Sequence, residues 1–408
     1  MRAPLTPIKA FIHDAATLGQ QADNTAADDP RLSQWLLVAQ AAERLAGLRP
    51  AERGEYVTML QKSVLPLRTG RPTQIEGDGR GPADALAELA ERLRLDAEDM
   101  ERAGCFELAL ATVAAVCQML SRRPERLTAR LLATAHLGRV VRQIGEFNSA
   151  VDCYTTVTTE GQAMKDGPVA AHGYIGLGNV AHARGNRPSQ KAFFLKALEL
   201  AAKGSRVELS AHQGLLVTAN LEGHLADALL HGWRAHDLAP SKSEAQYETV
   251  TNMSHTALHS GFYAAAQSGF DYVVQHAIVP RIRLPAITGS LRAATRLRER
   301  HKLETFEDQG RIEASRTSNP FETAAFYFWA AVARKEFGDR DAAAGLLQSS
   351  LDLAEKFGLH ELRLRAENLL TSNTDAMPSG PSPASQYVDD HDPVVMDGIG
   401  RLTALTTV

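Results

Sequence analysis

The chain is poor in cysteine and in aromatic residues, and it lacks any long apolar run. Its three cysteines, Cys105, Cys117 and Cys153, are few and odd in number, which argues against a disulfide framework and for a reducing compartment. Aromatic residues make up 6% of the 408 positions, so alanine, leucine and valine must supply most of the core. No window approaches the roughly 18 consecutive apolar residues of a membrane span, and residues 1–18 lack the apolar stretch of a secretory signal. We therefore expect a cytoplasmic protein.

The sequence also lacks an excess of charge and the usual catalytic motifs. A net charge of -4 gives no overall attraction to nucleic acid or to an anionic membrane, so neither is indicated as a partner. There is no Gly-x4-Gly-Lys-Ser/Thr phosphate loop, no Gly-x-Ser-x-Gly turn and no Cys-x-x-Cys pair. Gly173, Gly176 and Gly178 superficially suggest a phosphate loop, but no predicted strand precedes them. We predict no catalytic residue, no cofactor and no metal site, and we expect that the protein is not an enzyme.

A few residues could carry chemistry in another setting. His255 and His259 are four residues apart, so one helix could present both to a metal ion. No third ligand is fixed by spacing, and a pair of groove or surface histidines is the favoured interpretation. Cys117 lies among apolar residues and is expected in the core. The adjacent acids Glu307 and Asp308 are expected on a solvated helix face.

Composition divides the chain into three parts. Residues 1–82 are predicted as an N-terminal helical region that ends in a loop rich in proline and glycine, and residues 83–371 have a helical pattern almost throughout. Residues 372–408 are rich in serine, proline, glycine and aspartate, so we expect a flexible tail. The end of this tail is apolar, so it could be a docking segment that inserts into the protein's own groove. A frayed terminus is the favoured interpretation, because chain ends are usually poorly ordered. Its apolar residues are Val394, Val395, Met396, Ile399, Leu402 and Leu405.

Turn signals recur at a nearly constant interval within residues 83–371. Successive turns are 37 to 41 residues apart, and small residues recur five positions after the turn and seven positions before it. Small side chains at both places allow paired antiparallel helices to pack closely. The predicted turn residues are Gly104, Gly145, Gly185, Gly223, Gly261, His301 and Gly338. This periodicity predicts an all-α protein built from about seven helix pairs.

One stretch of the repeat carries a family signature. Leu137-Gly138 followed by Gly145, Ala150 and Tyr154 resembles the tetratricopeptide motif, which has Leu-Gly in the first helix of a pair and Ala-x3-aromatic in the second. The resemblance covers roughly residues 88–370, although the interval is longer than the 34 residues or so that are usual in the family. It implies a right-handed superhelical solenoid of antiparallel helix pairs, in which the first helix of each pair lines a concave groove.

The resemblance also implies a set of partner-binding residues, found by counting back from each turn to the positions that line the groove in the family. This row is polar and rich in hydrogen-bond donors, so an acidic peptide or an acidic loop of a partner protein is the expected ligand. The alternative is that these residues only solvate a concave face. The candidates are Arg139, Arg142, Asn179, His182, Asn220, His255, His259 and Arg298.

A basic run lies near the end of this row. Arg292 and Arg296 share a helical face that could meet phosphate or carboxylate groups, but a solvated face balanced by nearby glutamates is the favoured interpretation. The full run consists of Arg281, Arg283, Arg292, Arg296, Arg298 and Arg300.

The sequence leaves more than one class of function open. The first is a non-catalytic scaffold or regulatory adaptor that binds a partner protein or peptide in the concave groove. The second is a peptide-sensing regulator that controls an effector or a transcription factor through a ligand-induced change of the superhelix. A metal-dependent enzyme that uses His255 and His259 is the remote third candidate.

Overall fold

The computed structural model describes residues 91, 93–101, 106–121, 126–317, 319–371 and 392–407. Within these residues the chain is helical and forms no strand, so the all-α prediction is confirmed there. The predicted N-terminal region, the turn at Gly104 and most of the predicted tail lie outside the described residues. A helical segment at residues 93–101 comes first.

The remaining helices follow one another through short turns. Up to residue 184 they are α1 (Phe106–Ser121), α2 (Leu127–Gln143), α3 (Phe147–Ala163) and α4 (Gly167–Ala183). After it they are α5 (Arg187–Leu200), α6 (Arg206–Glu222), α7 (Leu225–Leu238), α8 (Glu244–His259), α9 (Tyr263–His276), α10 (Pro280–Arg296), α11 (Arg300–Arg316), α12 (Pro320–Glu336), α13 (Arg340–Phe357), α14 (His360–Thr371) and α15 (Pro393–Ala404). A 3-10 turn at Leu405–Thr407 follows α15.

These helices form two compact units, one that ends at Arg184 and one that begins at Gly185. In the first unit, α2 packs against α1 and α3, and α3 packs against α4. In the second unit, each helix from α5 to α14 likewise packs against its neighbours in sequence. Packing from neighbour to neighbour is the arrangement of an all-α helical repeat.

The turns within the helix pairs explain the recurring glycine. Five of the predicted turn residues have φ between 71° and 89°, a left-handed conformation that strains any residue with a Cβ atom. These predicted turns are therefore confirmed. They are Gly145, Gly185, Gly223, Gly261 and Gly338.

The predicted turn at His301 is wrong, because His301 lies inside α11. Arg298 takes the left-handed conformation instead, with φ 61°, between the end of α10 and the beginning of α11. Its amide donates to the carbonyl of Thr295 at 3.2 Å, as the amide of Gly145 donates to Arg142 at 3.0 Å. The two turns are thus equivalent, and the positions counted from the sixth turn move by three residues.

The glycine-rich segment of α4 is a packing surface and not a phosphate loop. Gly173, Gly176 and Gly178 are all buried within the helix. A Cβ atom on Gly176 would lie 2.1 Å from the ring of Tyr154, and one on Gly173 would lie 2.6 Å from Thr158. The missing side chains therefore allow α4 to approach α3 closely.

Residues 392–407 of the predicted flexible tail form a docked helix and not a frayed terminus. The Asp392 carboxylate accepts a hydrogen bond from the Val394 amide at 2.8 Å, and Pro393 occupies the first helical turn, so the helix start is encoded locally. α15 packs mainly against α7 and α9. These are second helices of their pairs, whereas the predicted groove is formed by first helices.

Candidate functional site

In the first unit, the predicted groove residue Arg139 is engaged within the protein. Its guanidinium donates to Glu101 at 2.9 Å and to Glu98 at 3.3 Å, and His136 also hydrogen bonds to Glu101. Burial alone would raise the pKa of Glu101, but the hydrogen bond from His136 and the charge of Arg139 lower it below its usual value. Arg139 already has a counter-ion, which makes it a weaker candidate for a partner's carboxylate.

The other predicted residues lie on first helices of their pairs. Arg142 is half-buried on α2, and its Nε atom is buried without a hydrogen-bond partner among the described residues. Asn179 is half-buried and His182 exposed on α4, while Asn220 is half-buried on α6. Their role in binding a partner stays a prediction.

In the second unit, side chains from α8, α10 and α12 come together. His259 Nε2 lies 3.3 Å from Arg292 Nη2, and the Arg292 guanidinium lies 4.0 Å from the centre of the Trp329 ring. The rings of His255 and His259 are stacked at 6.3 Å between centroids, and His255 also packs edge-on against Phe270. Arg296 follows Arg292 one turn later on α10 and is exposed. We call His255, His259, Arg292, Arg296 and Trp329 the arginine site.

The corrected turn explains why Arg292 joins this group. Six residues before Gly261 lies His255, and six residues before Arg298 lies Arg292. The register based on His301 had instead placed Arg298 in the groove row. Arg298 belongs to the turn, where its exposed guanidinium donates to the carbonyl of Glu336 at 3.2 Å. Sequence reasoning missed Arg292 as a member of the row because that one turn lacks glycine. It missed Trp329 because this residue lies nine positions before Gly338, outside the positions counted back from each turn.

Arg292 and Arg296 differ from the rest of the basic run in having no acidic partner in the part of the chain that the structure describes. Among the described residues, neither one forms an ion pair with a carboxylate. The glutamates expected to balance the run are Glu299, Glu304 and Glu307, and of these Glu304 pairs with an arginine of the run, Arg300. The other paired arginines use different acids. The pairs that do form are Arg281 with Glu244 and Glu248, Arg283 with Glu313, Arg298 with Glu336, and Arg300 with Glu304 and Asp339.

The arginine site is electropositive at neutral pH. Burial and the charges of Arg296 and Arg365 lower the pKa of Arg292 to about 10, so its guanidinium remains charged. Burial and Arg292 lower the pKa of His259 to about 4, and burial, Arg292 and His259 hold the pKa of His255 well below its usual value. Both imidazoles are therefore neutral. A half-buried cation without a counter-ion is a receptor for an anion of the carboxylate type.

The same geometry disfavours a metal ion at His255 and His259. In the part of the chain that the structure describes, no cluster of three or more histidine, cysteine or acidic side chains could hold a metal. Arg292 contacts His259 Nε2, and its charge would repel a cation at that position. The free thiols are not activated either, because burial raises the pKa of Cys117 to about 12 and that of Cys153 to about 11.

Glu307 corrects the expectation of a solvated acidic pair. Asp308 is exposed as expected, but Glu307 is 5% exposed. Its carboxylate accepts from Arg334 Nε at 2.7 Å and from Arg311 at 2.8 Å. Glu307 is thus part of an internal ion pair that links α11 to α12.

Comparison with known proteins does not assign the chain to a family. A scan against protein-family models found no match, and a search of curated proteins found no significant similarity. Among the described helices, none combines the length and apolarity that crossing a membrane requires. The class that the fold itself defines is an all-α helical repeat protein.

Proposed function

We propose that the protein is a non-catalytic scaffold or regulatory adaptor whose helix pairs are degenerate tetratricopeptide-like repeats arranged as a right-handed superhelix. The left-handed turn that recurs every 37 to 40 residues from Gly145 to Gly338 supports this, together with the small residues that flank it. The free thiols Cys117 and Cys153 are in keeping with the reducing environment of the cytoplasm, where we place the protein.

The observation that carries the binding role is the guanidinium of Arg292. A buried or half-buried charge without a partner destabilises the fold, and a bound carboxylate would offset that effect. Trp329 supports the flat face of the guanidinium, which fixes its orientation. The partner therefore presents an acidic segment, with one carboxylate at Arg292 and a second at Arg296.

The test is a comparison of partners recovered from extracts of the native host. Full-length wild-type chain is expected to enrich a partner protein in stoichiometric amounts, and Arg292→Gln is expected to reduce its recovery at least tenfold. Arg187→Gln is the matched control, because Arg187 is an exposed arginine of the same unit that forms no ion pair with the described residues. Equal recovery with all three chains would exclude the arginine site as the binding surface.

A peptide-sensing regulator is the second candidate, and the size of the arginine site favours it. The site consists of five side chains on three helices, which is enough for one or two carboxylates of a short peptide. An acidic peptide that binds there must raise the melting temperature of the wild-type chain by mass action and leave that of Arg292→Gln unchanged. A recovered partner protein without any response to peptides would favour the adaptor.

A further inference from the structure

The surface that holds α15 is distinct from the arginine site. Val395 and Leu402 of α15 are buried against it. The indole Nε1 of Trp233 donates to the backbone carbonyl of Gly398 at 3.1 Å, and both groups are buried. We call this surface the α7–α9 groove and define it by Leu229, Trp233, Asp237 and Gly269.

Two glycines set how closely α15 approaches the groove. A Cβ atom on Gly398 would lie 3.1 Å from Leu229 and 3.3 Å from Trp233 Nε1, so a larger side chain there would push the helix away. On the opposite wall, a Cβ atom on Gly269 would lie 2.7 Å from Leu402, so the missing side chain creates the space that Leu402 fills. The groove thus selects a helix that has valine at the position of Val395, a small residue at the position of Gly398 and leucine at the position of Leu402.

A charged contact also fixes the orientation of α15 in the groove. The guanidinium of Arg401 lies 4.0 Å from the centre of the Trp233 ring and pairs with Asp237 at 2.9 Å. Because Arg401 lies near the C-terminal end of α15, this pair can form in only one orientation of the helix. The groove therefore distinguishes a helix with a basic residue at this position from other apolar helices.

α15 can leave without interrupting the helical repeat. Its packing partners α7, α8 and α9 pack against one another independently of it. α15 has 12 residues, including Gly398 and Gly400 in its interior. Isolated helices shorter than about 12–15 residues are marginal in water, and interior glycine weakens them further. The groove, and not the segment itself, therefore stabilises this helix.

The groove is also larger than the helix it holds. An open cleft of about 500 Å³ runs beside α15, between α15 and the side chains of α6 and α7. Glu208 and Arg234 contribute charged groups to its walls, and His212 also lines it. A longer helix, or one with larger polar side chains, could make contacts there that α15 does not make.

We propose that α15 is a releasable intramolecular ligand, and that the α7–α9 groove binds in its place an amphipathic helix of a partner protein. That helix carries the same apolar and small-residue pattern and a basic residue that faces Asp237. The chain then has two interaction surfaces, since the arginine site lies on first helices and takes acidic groups. The two surfaces share none of the residues that define them.

The test uses the full-length chain with Gly398→Leu, which is expected to displace α15 while leaving every groove side chain unchanged. Gly400→Leu is the matched control, because nothing lies within 4 Å of a Cβ atom at that position. The probe is a fluorescent peptide of residues 392–407. It is expected to bind Gly398→Leu at least tenfold more tightly than wild type or Gly400→Leu, and a peptide with Leu402→Asp should not bind. Equal affinity for all three chains, or no binding to Gly398→Leu, would overturn the proposal.

A second measurement on the wild-type chain does not depend on the folding of any variant. Amides of α15 are expected to exchange with deuterium at least tenfold faster than those of α9, because release exposes them. Equal protection would make α15 a permanent part of the fold and would overturn the proposal. A wild-type dimer by light scattering that is lost in Leu402→Asp would assign the groove to a second copy of this chain, and would equally overturn the assignment to a partner protein.

Discussion

Arg292 and Arg334 are both arginines on first helices of the second unit, yet their surroundings are opposite. Arg334 donates to the buried carboxylate of Glu307. Arg292 has Arg296 and Arg365 as its charged neighbours, and burial lowers its pKa. Local sequence around the two residues does not reveal this difference, because Glu307 and Arg365 come from other helices. The contrast predicts opposite effects of removing each charge.

Arg292→Met is expected to leave the free energy of unfolding unchanged, or to raise it by up to about 1 kcal/mol, because it removes an unpaired desolvated charge. Arg334→Met is expected to lower it by about 2 to 3 kcal/mol, because it removes a positive charge that stabilises the buried carboxylate of Glu307. Urea unfolding at pH 7 measures both. A loss of more than about 2 kcal/mol in Arg292→Met would show that this arginine stabilises the fold, and would weaken its assignment to ligand binding.

His212 predicts a dependence of stability on pH. Its Nδ1 lies 2.9 Å from Nδ1 of His231, so one ring donates and the other accepts. Burial, followed by the proximity of His231, lowers the pKa of His212 to about 4. The unfolded residue titrates near pH 6.5, so the contribution of neutral His212 is present above about pH 6.5 and is lost as the pH falls toward 4.

Between pH 7 and pH 5 this linkage is expected to remove about 2 kcal/mol from the free energy of unfolding. His212→Asn can still hydrogen bond to His231 but does not titrate, so its loss over the same interval should be smaller by about that amount. Urea unfolding at the two pH values provides the comparison. Parallel pH profiles for the two proteins would contradict the prediction.

At the scale of the helix pair, the sixth turn tests the corrected register. Arg298 adopts φ 61°, which costs a residue with a Cβ atom about 1 to 2 kcal/mol. Arg298→Gly is therefore expected to stabilise the protein by about 1 kcal/mol, after allowance for its exposed contacts with Glu336. His301→Gly should instead destabilise it by roughly 0.5 kcal/mol, because His301 is helical. Thermal unfolding of both variants distinguishes the registers, and the reverse order would restore the turn at His301.

The same turn shows what the sequence could predict about the elements. Glycine recurs at the other turns because only glycine adopts the left-handed conformation without steric strain. The spacing of the glycines therefore locates those helix boundaries. Asn319 and Pro320 likewise predict the start of α12, and the Asn319 side chain accepts hydrogen bonds from the amides of Phe321 and Glu322. Arg298 tolerates the strain without glycine, so spacing alone placed that turn three residues too late.

At the scale of the whole molecule, the docking of α15 could not be located from sequence. The apolar residues of the tail indicate that a surface could cover them, but the surface depends on Gly269 and Leu229, which lie far away in the chain. The hydrogen bond from Trp233 to Gly398 spans 165 residues. For the same reason the surroundings of Arg292 depend on α8, α12 and α14, and no pattern within α10 predicts that it has no acidic partner among the described residues.

Neighbour-to-neighbour packing predicts that damage in the second unit stays local. Leu402 of α15 is fully buried against α9, and Leu347 of α13 is 3% exposed. Changing either residue to alanine removes about 2 to 4 kcal/mol of packing free energy.

In a helical repeat each perturbation reaches mainly the adjacent helices, so regions of the stack can open separately. Leu402→Ala should therefore accelerate deuterium exchange in α7, α9 and α15 and leave α12 and α13 unchanged, whereas Leu347→Ala should do the reverse. Equal acceleration across α9 and α13 in both variants would mean that the unit opens as one cooperative block, and α15 would then have to stabilise all of it.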